Sequence, residues 1–316
     1  MSLPPESPGR WDSAYHAPVM AAEVLDLLGG LPLVLDCTLG GGGHSAALLE
    51  SGSSVHAVDR DPAALAAARE RLARAEESGR FAAHHGNHAH LDRIDALRGV
   101  RFDGILLDLG ISSHQIDDTA RGFSFREGAA LDMRMGDDAP MDAATLLGTL
   151  DERELARVFR DYGDERRANA LAREVVRRRE RRPFAVADDL VGAIRAVLGP
   201  RSGPADFARL FQAVRIAVND ELAGLERALP DLRDRLRAGG VLVVIAYHSG
   251  EDRLVKQAFR AWSTACTCPP RAPVCTCGGR ALGTTLTRKA VSAGEGEITR
   301  NPRARSARLR AWRSAA

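Results

Sequence analysis

A run of strand-forming residues, Leu33-Val34-Leu35-Asp36-Cys37, passes through Thr38 and Leu39 into four consecutive glycines, Gly40 to Gly43, closed by His44. An apolar strand, a glycine turn and a following helix form the opening βα unit of a doubly wound α/β sheet. Glycine lets the backbone approach a ligand closely, and the N–H groups that open the next helix attract an anion. A second strand, Val55 to Val58, delivers Asp59, 19 positions after Gly40. A carboxylate at about that spacing takes the hydroxyls of a ribose. Together these features predict a bound adenosine-containing cofactor. Asp36 narrows the choice. A dinucleotide turn needs no acid ahead of its glycines, whereas a carboxylate at the end of the first strand suits a ligand carrying an ammonium and a sulfonium. S-adenosylmethionine carries both, which favours methyl transfer over hydride transfer.

The rest of the chain extends this pattern and then breaks it. A helix from about Ser45, the strand ending at Asp59, an Ala-rich helix from Pro62 to Glu77, a strand over 81–85, a short helix near 90–97 and an apolar strand over 102–108 alternate in the manner of a parallel sheet. From Asp117 to Leu210 the spacing is helical and charged, most clearly over 152–161, 165–179 and 187–198. Strand character returns at 241–247, behind Gly239-Gly240. The expected organisation is a disordered tail over 1–13, a sheet core over 14–116 and 211–316, and a helical insert over 117–210 that recognises substrate. The 316 residues suffice for both units to have cores of their own. The alternation of Arg with Leu or Ala over 307–312 suits an edge strand.

A net charge of only +2 gives no global nucleic-acid signature, but the arginines are unevenly placed. Five fall within 177–182, broken only by Glu180, and Arg300, Arg303, Arg305, Arg308, Arg310 and Arg313 follow the last acid, Glu297. Their forked donors make both runs candidate RNA contacts, against the alternative of a solvated helix face and a charged terminus. No apolar run reaches the ~20 residues of a membrane span. The Pro- and Ser-containing start lacks the apolar centre of a secretory signal, so a cytoplasmic location is expected. Of five cysteines, Cys37 ends a strand as a small buried residue, while Cys266-x-Cys268 and Cys275-x-Cys277 form a pair of pairs. Four thiolates can hold zinc, but C-x-C is tighter than the usual C-x2-C knuckle, which favours a reduced loop without metal.

In open α/β sheets, ligands bind outside the carboxyl ends of the strands. Asp36, Asp59, Asp108 and His248 all lie at such ends. The fourth strand runs into Asp108-Leu109-Gly110-Ile111-Ser112-Ser113-His114-Gln115, and the fifth into Tyr247-His248-Ser249-Gly250-Glu251-Asp252-Arg253. Clusters of ionisable side chains there point to a site, against the alternative of capped loops, in which Ser249 N-caps a helix.

Gly40 to His44, Asp59, the Asp108–Ser113 segment, Arg121-Gly122-Phe123-Ser124-Phe125, Leu131-Asp132-Met133-Arg134-Met135, the segment from Phe211 to Glu221, and Asn301-Pro302-Arg303 follow one another in a characteristic order. On these motifs, spanning about His16 to Trp312, the chain resembles the RsmH (MraW) family of bacterial 16S ribosomal RNA cytosine-N(4)-methyltransferases. The resemblance implies a Rossmann-like methyltransferase sheet with a helical insert, S-adenosylmethionine as cofactor, and as substrate a cytidine amine in the decoding region of 16S ribosomal RNA within the small subunit. By motif position it implies cofactor contacts at Gly42, Gly43, His44, Asp59, Asp108 and Gln115, and at His88, where the family usually has Phe. His114 stands where the family commonly has Pro, Gly250 where it has Leu, and the run from Ser202 to Arg209 also departs.

A cytosine amine is a poor nucleophile because its lone pair is delocalised into the ring. An enzyme must align it and accept its hydrogen bonds. The Asp/Asn/Ser-Pro-Pro-aromatic turn of many amino methyltransferases is replaced here by Asp108-Leu109-Gly110-Ile111. Asp108 or the Leu109 carbonyl is therefore expected to face the amine, with Ser112 or His248 orienting it or accepting a proton. Tyr247, Phe123 and Phe125 are candidates to stack an unstacked base, against core packing. Two other readings are a nicotinamide oxidoreductase, which leaves Asp36 and the later motifs unexplained, and a non-catalytic RNA-binding assembly protein with a vestigial cofactor site.

Overall fold

The computed structural model describes residues 10–11, 17–266, 268 and 279–316. In chain order its main elements are α1 (Ala21–Leu28), β1 (Leu33–Asp36), α2 (Gly43–Glu50), β2 (Ser54–Asp59), α3 (Pro62–Glu77), β3 (Phe81–His85) and β4 (Phe102–Asp108). There follow α4 (Ser113–Asp117), α5 (Ala143–Thr149), α6 (Glu152–Arg157), α7 (Ala168–Arg179), α8 (Ala187–Leu198), α9 (Pro204–Asn219) and α10 (Glu221–Asp234). The chain closes with β5 (Leu236–Ala246), α11 (Ser249–Trp262), β6 (Gly283–Thr285), α12 (Glu295–Arg300) and β7 (Arg308–Ser314). They form two compact units, one of Met1–Gly110 with Gly224–Ala316, the other of Ile111–Ala223.

The first unit is a seven-stranded sheet of order β3-β2-β1-β4-β5-β7-β6. β1 to β5 are parallel, and β7 runs antiparallel between β5 and β6. Successive residues feed opposite faces. Val34, Leu106 and Val243 join Leu28, Leu48 and Leu65 of α1 to α3. Leu35, Ile105, Leu107 and Val244 join Leu225 and Leu229 of α10 and Phe259 of α11. Burial on both faces is why these strands read as near-continuous apolar runs rather than alternating ones. The strand order reverses between β1 and β4, so the carboxyl ends of those two strands border a crevice.

The segment expected as an edge strand is interior. β6, only three residues long, covers the outer side of β7, and its Gly-Thr-Thr sequence is too short to announce a strand. The alternation therefore has another cause: Leu309, Ala311 and Trp312 are buried, while Arg310 is buried by a two-pronged contact with Asp252, at 2.7 and 3.0 Å. Arg310 is committed to the fold and not to RNA.

The second unit is helical. Leu155, Phe159, Leu171, Val175, Leu190, Ile194, Phe211 and Val214 share one core. Its limits differ from the expected 117–210. α4 begins at Ser113, and α9 runs unbroken to Asn219 with Phe211, Val214 and Val218 in the helical core, so residues 111–116 and 211–223 pack with the helices. Buried Asn219 closes this unit. Its Nδ2 donates to the Met133 and Arg215 carbonyls, at 2.7 and 3.0 Å, and its Oδ1 accepts from Met135 N at 2.8 Å. In the first arginine run, Arg177, Arg178 and Arg179 have partners within the helical unit, although Arg177, Arg181 and Arg182 are exposed. Arg177 and Arg178 grip Glu174, and Arg179 donates to the carbonyls of Leu147 and Leu150.

Arg10 and Trp11, within the expected disordered tail, contact Glu50; residues 1–9 and 12–16 lie outside the described residues. So do Cys275 and Cys277, and with them the four-cysteine question. Cys37 is buried, and burial pushes its thiol well above the usual range, as suits an inert packing residue. Among the described residues, no helix is long and apolar enough to cross a membrane.

Gly122, of the Arg121–Phe125 motif, has φ +72°, and a Cβ there would sit 2.3 Å from the Ala130 carbonyl and 2.8 Å from Asp132 N. Gly128 has φ +73° with open space around it. We expect Gly128→Ala to cost about 1–2 kcal/mol, from backbone conformation alone. Gly122→Ala should cost at least ~2 kcal/mol more, because backbone atoms must also move. Urea unfolding of both variants checks the difference; equal costs would show that the loop yields freely.

Candidate active site

Loops at the carboxyl ends of four strands, β1, β2, β4 and β5, build the site. β1 ends at Asp36, which is fully buried. Its carboxylate accepts from Ser45 Oγ at 2.7 Å and from Thr38 N at 3.2 Å. Burial raises its pKa above the ordinary carboxylate value, against the lowering effect of His44. Asp36 thus shapes the turn from beneath, and the expectation that it meets a ligand directly is corrected: no solvent-accessible surface is left for one.

The glycines divide by task. Gly42 is left-handed, at φ +74°, and an added Cβ would lie 3.2 to 3.3 Å from Leu72 and Ala68 of α3. At Gly43 a Cβ would press on the Pro18 ring at 2.9 Å. Both are glycines because the turn packs tightly on the protein. Gly40, at φ +50°, is different: a Cβ there meets nothing within 4 Å. Its N–H donates to Asp59 Oδ2 at 2.8 Å, while Asp59 Oδ1 accepts from Asp61 N at 2.9 Å. Asp59 is partly exposed at the end of β2, with lone pairs to spare for hydroxyl donors. Burial pushes its pKa up to about 6, only partly offset by the two backbone donors.

β4 ends at Asp108, where a network converges. Asp108 N donates to Thr38 Oγ1 at 2.7 Å, tying β4 to the glycine turn. Asp108 Oδ1 accepts from the Tyr247 hydroxyl at 2.8 Å. Asp108 Oδ2 lies 3.3 Å from His44 Nε2, at ion-pair distance, although neither buried ring nitrogen of His44 has a well-aligned hydrogen bond. Burial draws the His44 pKa down, but Asp108, Asp36 and Glu297 together raise it above the ordinary value. Burial first, and then Asp108, pushes the Tyr247 hydroxyl well above its usual range, so it stays a donor. Tyr247 is consequently not a free stacking face: its ring also stands 3.3 Å from where a Cβ on Gly110 would be.

The other expected residues sit differently. His88 opens a 3-10 turn just beyond β3, the strand that pairs with β2, and Asn87 caps that turn by accepting from Ala89 N. His248 caps α11, its Nδ1 accepting from Gly250 N at 3.2 Å, while its Nε2 lies 3.1 Å from Glu251 Oε1. Ser112 and Gln115 belong to the second unit and bond each other at the start of α4, in a capping box of 3.2 and 3.0 Å. The first unit thus brings together Gly40 to His44, Asp59, Asp108 and Tyr247. Sequence reasoning missed Thr38 as an anchor, Tyr247 as a donor and Glu297 as a neighbouring charge. A hydroxyl within the strand-to-glycine turn was a signal for Thr38; no spacing signals Glu297, which α12 carries.

The arrangement fits a ligand with a ribose at one end and a positive charge at the other. Gly40 leaves room beside Asp59, and Asp36, Asp108 and Glu297 make the surroundings of His44 negative.

Comparison with known proteins agrees with this chemistry. Residues 13–315 match the MraW methylase family. The ribosomal RNA small subunit methyltransferase H of Gemmatimonas aurantiaca is 67% identical over 309 residues, covering 98% of both chains. Its namesake from Anaeromyxobacter dehalogenans is 50% identical over 303 residues, covering 94% of this chain and 96% of its own. That from Symbiobacterium thermophilum is 45% identical over 306 residues, with the same coverage.

Because Asp59 has a pKa of about 6, a ligand that donates hydroxyls to it binds the ionised form, which prevails above that value and is lost below it. The affinity for S-adenosylhomocysteine, measured by calorimetry, should be level above pH 7 and fall about tenfold by pH 5. Asp59→Asn should bind weakly with a flat profile; an equally sloping profile in that variant would assign the titration to another group.

Proposed function

This chain belongs to the MraW methylase family, and from that premise we propose that it methylates the N(4) amine of a cytidine in the decoding region of 16S ribosomal RNA, within the small ribosomal subunit. The observation that carries this reading is the Tyr247–Asp108–His44 cluster, set at the reversal of strand order and joined through Thr38 to the glycine turn. S-adenosylmethionine supplies an electrophilic methyl group on its sulfonium.

The chain's own residues do the rest. Asp59 would hold the ribose hydroxyls, the Gly40–Gly43 turn would hold the ligand through its backbone, and His88 would offer its imidazole to the adenine. Asp108 accepts a hydrogen bond from the N(4) amine, which draws the lone pair out of the ring and aims it at the methyl carbon. Methyl transfer to that nitrogen would leave the electron pair of the broken sulfur–carbon bond on sulfur. The nitrogen then sheds one proton toward the Asp108 carboxylate. Tyr247 fixes the orientation of that carboxylate, and His44 balances its charge. Ser112 and His248 act as positioning residues, through the helix starts that they cap. Alignment and preorganised charge are the sources of acceleration, since the reaction needs no group more basic than a carboxylate.

Incubation with labelled S-adenosylmethionine and unmethylated small subunits, followed by digestion, should place the label on the amine of cytidine. Tyr247→Phe should lower kcat about tenfold, the worth of one hydrogen bond to a charged group, with cofactor affinity retained. Asp108→Asn should lower kcat further. RNA binding without any labelled nucleoside would instead mark a non-catalytic assembly protein. For the C-terminal run, exposed Arg300, Arg303 and Arg305 are the proposed phosphate contacts. Their joint replacement by Ala should weaken RNA binding and flatten its dependence on salt. Arg310→Ala should lower stability by about 2–3 kcal/mol and leave the salt slope unchanged.

A further inference from the structure

Phe123 and Phe125, two residues apart in one motif, differ in exposure. Phe123 packs against the core of the helical unit, whereas Phe125 is 37% exposed. Exposure of a large aromatic ring is costly in water, and only Tyr162 matches it among the aromatic side chains of the described residues. Phe125 is also held still. Its ring meets Phe207 and Phe211 edge-on, at 5.9 and 6.1 Å with planes inclined by 65° and 72°. Both neighbours are buried. The loop that carries it is tied down on either side. Arg121 Nη2 donates to the carbonyls of Arg134 and Met135, Ala130 N to the Thr119 carbonyl, and Ser124 Oγ accepts from Arg126 N. A residue exposed by accident has no need of such support.

One guanidinium lies on this cluster. That of exposed Arg195 stands 5.3 Å from the centre of Phe207, while Arg126, the residue after Phe125, is paired with Asp117 at 3.2 Å. A rigid aromatic surface beside a guanidinium group is the chemistry that holds single-stranded nucleic acid: the ring takes a base by stacking, and the charge takes the adjoining phosphate. A partner helix would require an apolar groove, and the patch offers one ring. A phosphopeptide would require charge without the ring.

We infer that Phe125 is a stacking platform for an unpaired RNA base of the substrate, with Arg195 beside it as the phosphate contact. The inference rests on the RNA-methylating reading above and adds the residue of the helical unit that grips the strand. Stacking on a side chain without hydrogen bonds to base edges is tolerant of sequence, so this contact supplies affinity, and specificity for the target cytidine resides elsewhere.

The test compares two probes, a short oligouridine and an oligomer of equal length in which ribose-phosphates lack bases, titrated into the full chain by fluorescence anisotropy. The wild-type chain should prefer oligouridine by about tenfold. Phe125→Leu, which keeps an apolar side chain of similar volume on Phe207 and Phe211, should abolish that preference while leaving the salt slope and the thermal midpoint unchanged. Phe125→Trp should keep or increase it. Arg195→Ala should reduce the salt slope by about one with both probes. With subunits as substrate, Phe125→Leu should raise KM several-fold and leave kcat unchanged. A wild-type chain that binds both oligomers equally, or a Leu variant that keeps the preference, would overturn the stacking role alone. A wild-type chain that binds no RNA, neither the oligomers nor the subunits, would overturn the RNA-methylating reading itself.

Discussion

The carboxylate of Asp108 ends a buried parallel strand at the reversal of strand order, and the site depends on how that charge is accommodated. A carboxylate deprived of water is costly unless donors replace the water. The fold supplies Tyr247 Oη to one oxygen and sets His44 near the other, while the backbone of Asp108 is locked to Thr38. These contacts come from the turn after β1, from α2 and from the residue that follows β5, so the network also fastens together the strand ends that frame the crevice. His44 gains its raised affinity for a proton from the same cluster of acids that makes the crevice receptive to a cationic ligand.

Around this point the chain uses side-chain chemistry for scaffolding as much as for reactivity. His248, in a loop rich in ionisable residues, spends its Nδ1 on the start of α11. Ser112 and Gln115 spend their polar atoms on the start of α4. A helix start leaves several N–H groups without intrahelical partners, so polar residues gather there whatever the reaction. The arginine runs carry the same lesson. Arg310 is locked to Asp252, Arg177 and Arg178 pair with Glu174 of their own helix, and Arg179 ties α7 to the carbonyls of Leu147 and Leu150. Charge density along a sequence counts guanidinium groups but does not reveal which are already occupied.

Much of the first unit was legible because its local and global signals agree. The helix over 62–77 and the strand over 102–108 appear with the bounds that spacing and propensity suggest, since Asp61 and Pro62 mark the helix start and strand burial on both faces leaves an unmistakable apolar run. The glycine turn and Asp59 were legible for the same reason: Gly40 and Asp59 must bond across adjacent strands, and a βα unit of ordinary length sets their separation. β6 was not legible, being three residues held by pairing with β7 alone. The extent of the helical unit was not legible either, because the apolar stripe of α9 looks the same whichever core it enters.

The sequence by itself determined the alternation of strands and helices from β1 to β4, the glycine turn with the acid that follows it and, through its ordered motifs, the family. These follow from residue types at short separations, where geometry is dictated by the chain. Only the tertiary structure decided that Asp36 supports from beneath, that Tyr247 holds Asp108, that Glu297 adds its charge to His44, and that Phe125 is exposed while Phe123 is partly buried. Each of those depends on which distant element comes to lie beside a residue, and burial, partner and exposure are properties of that neighbourhood, not of the residue.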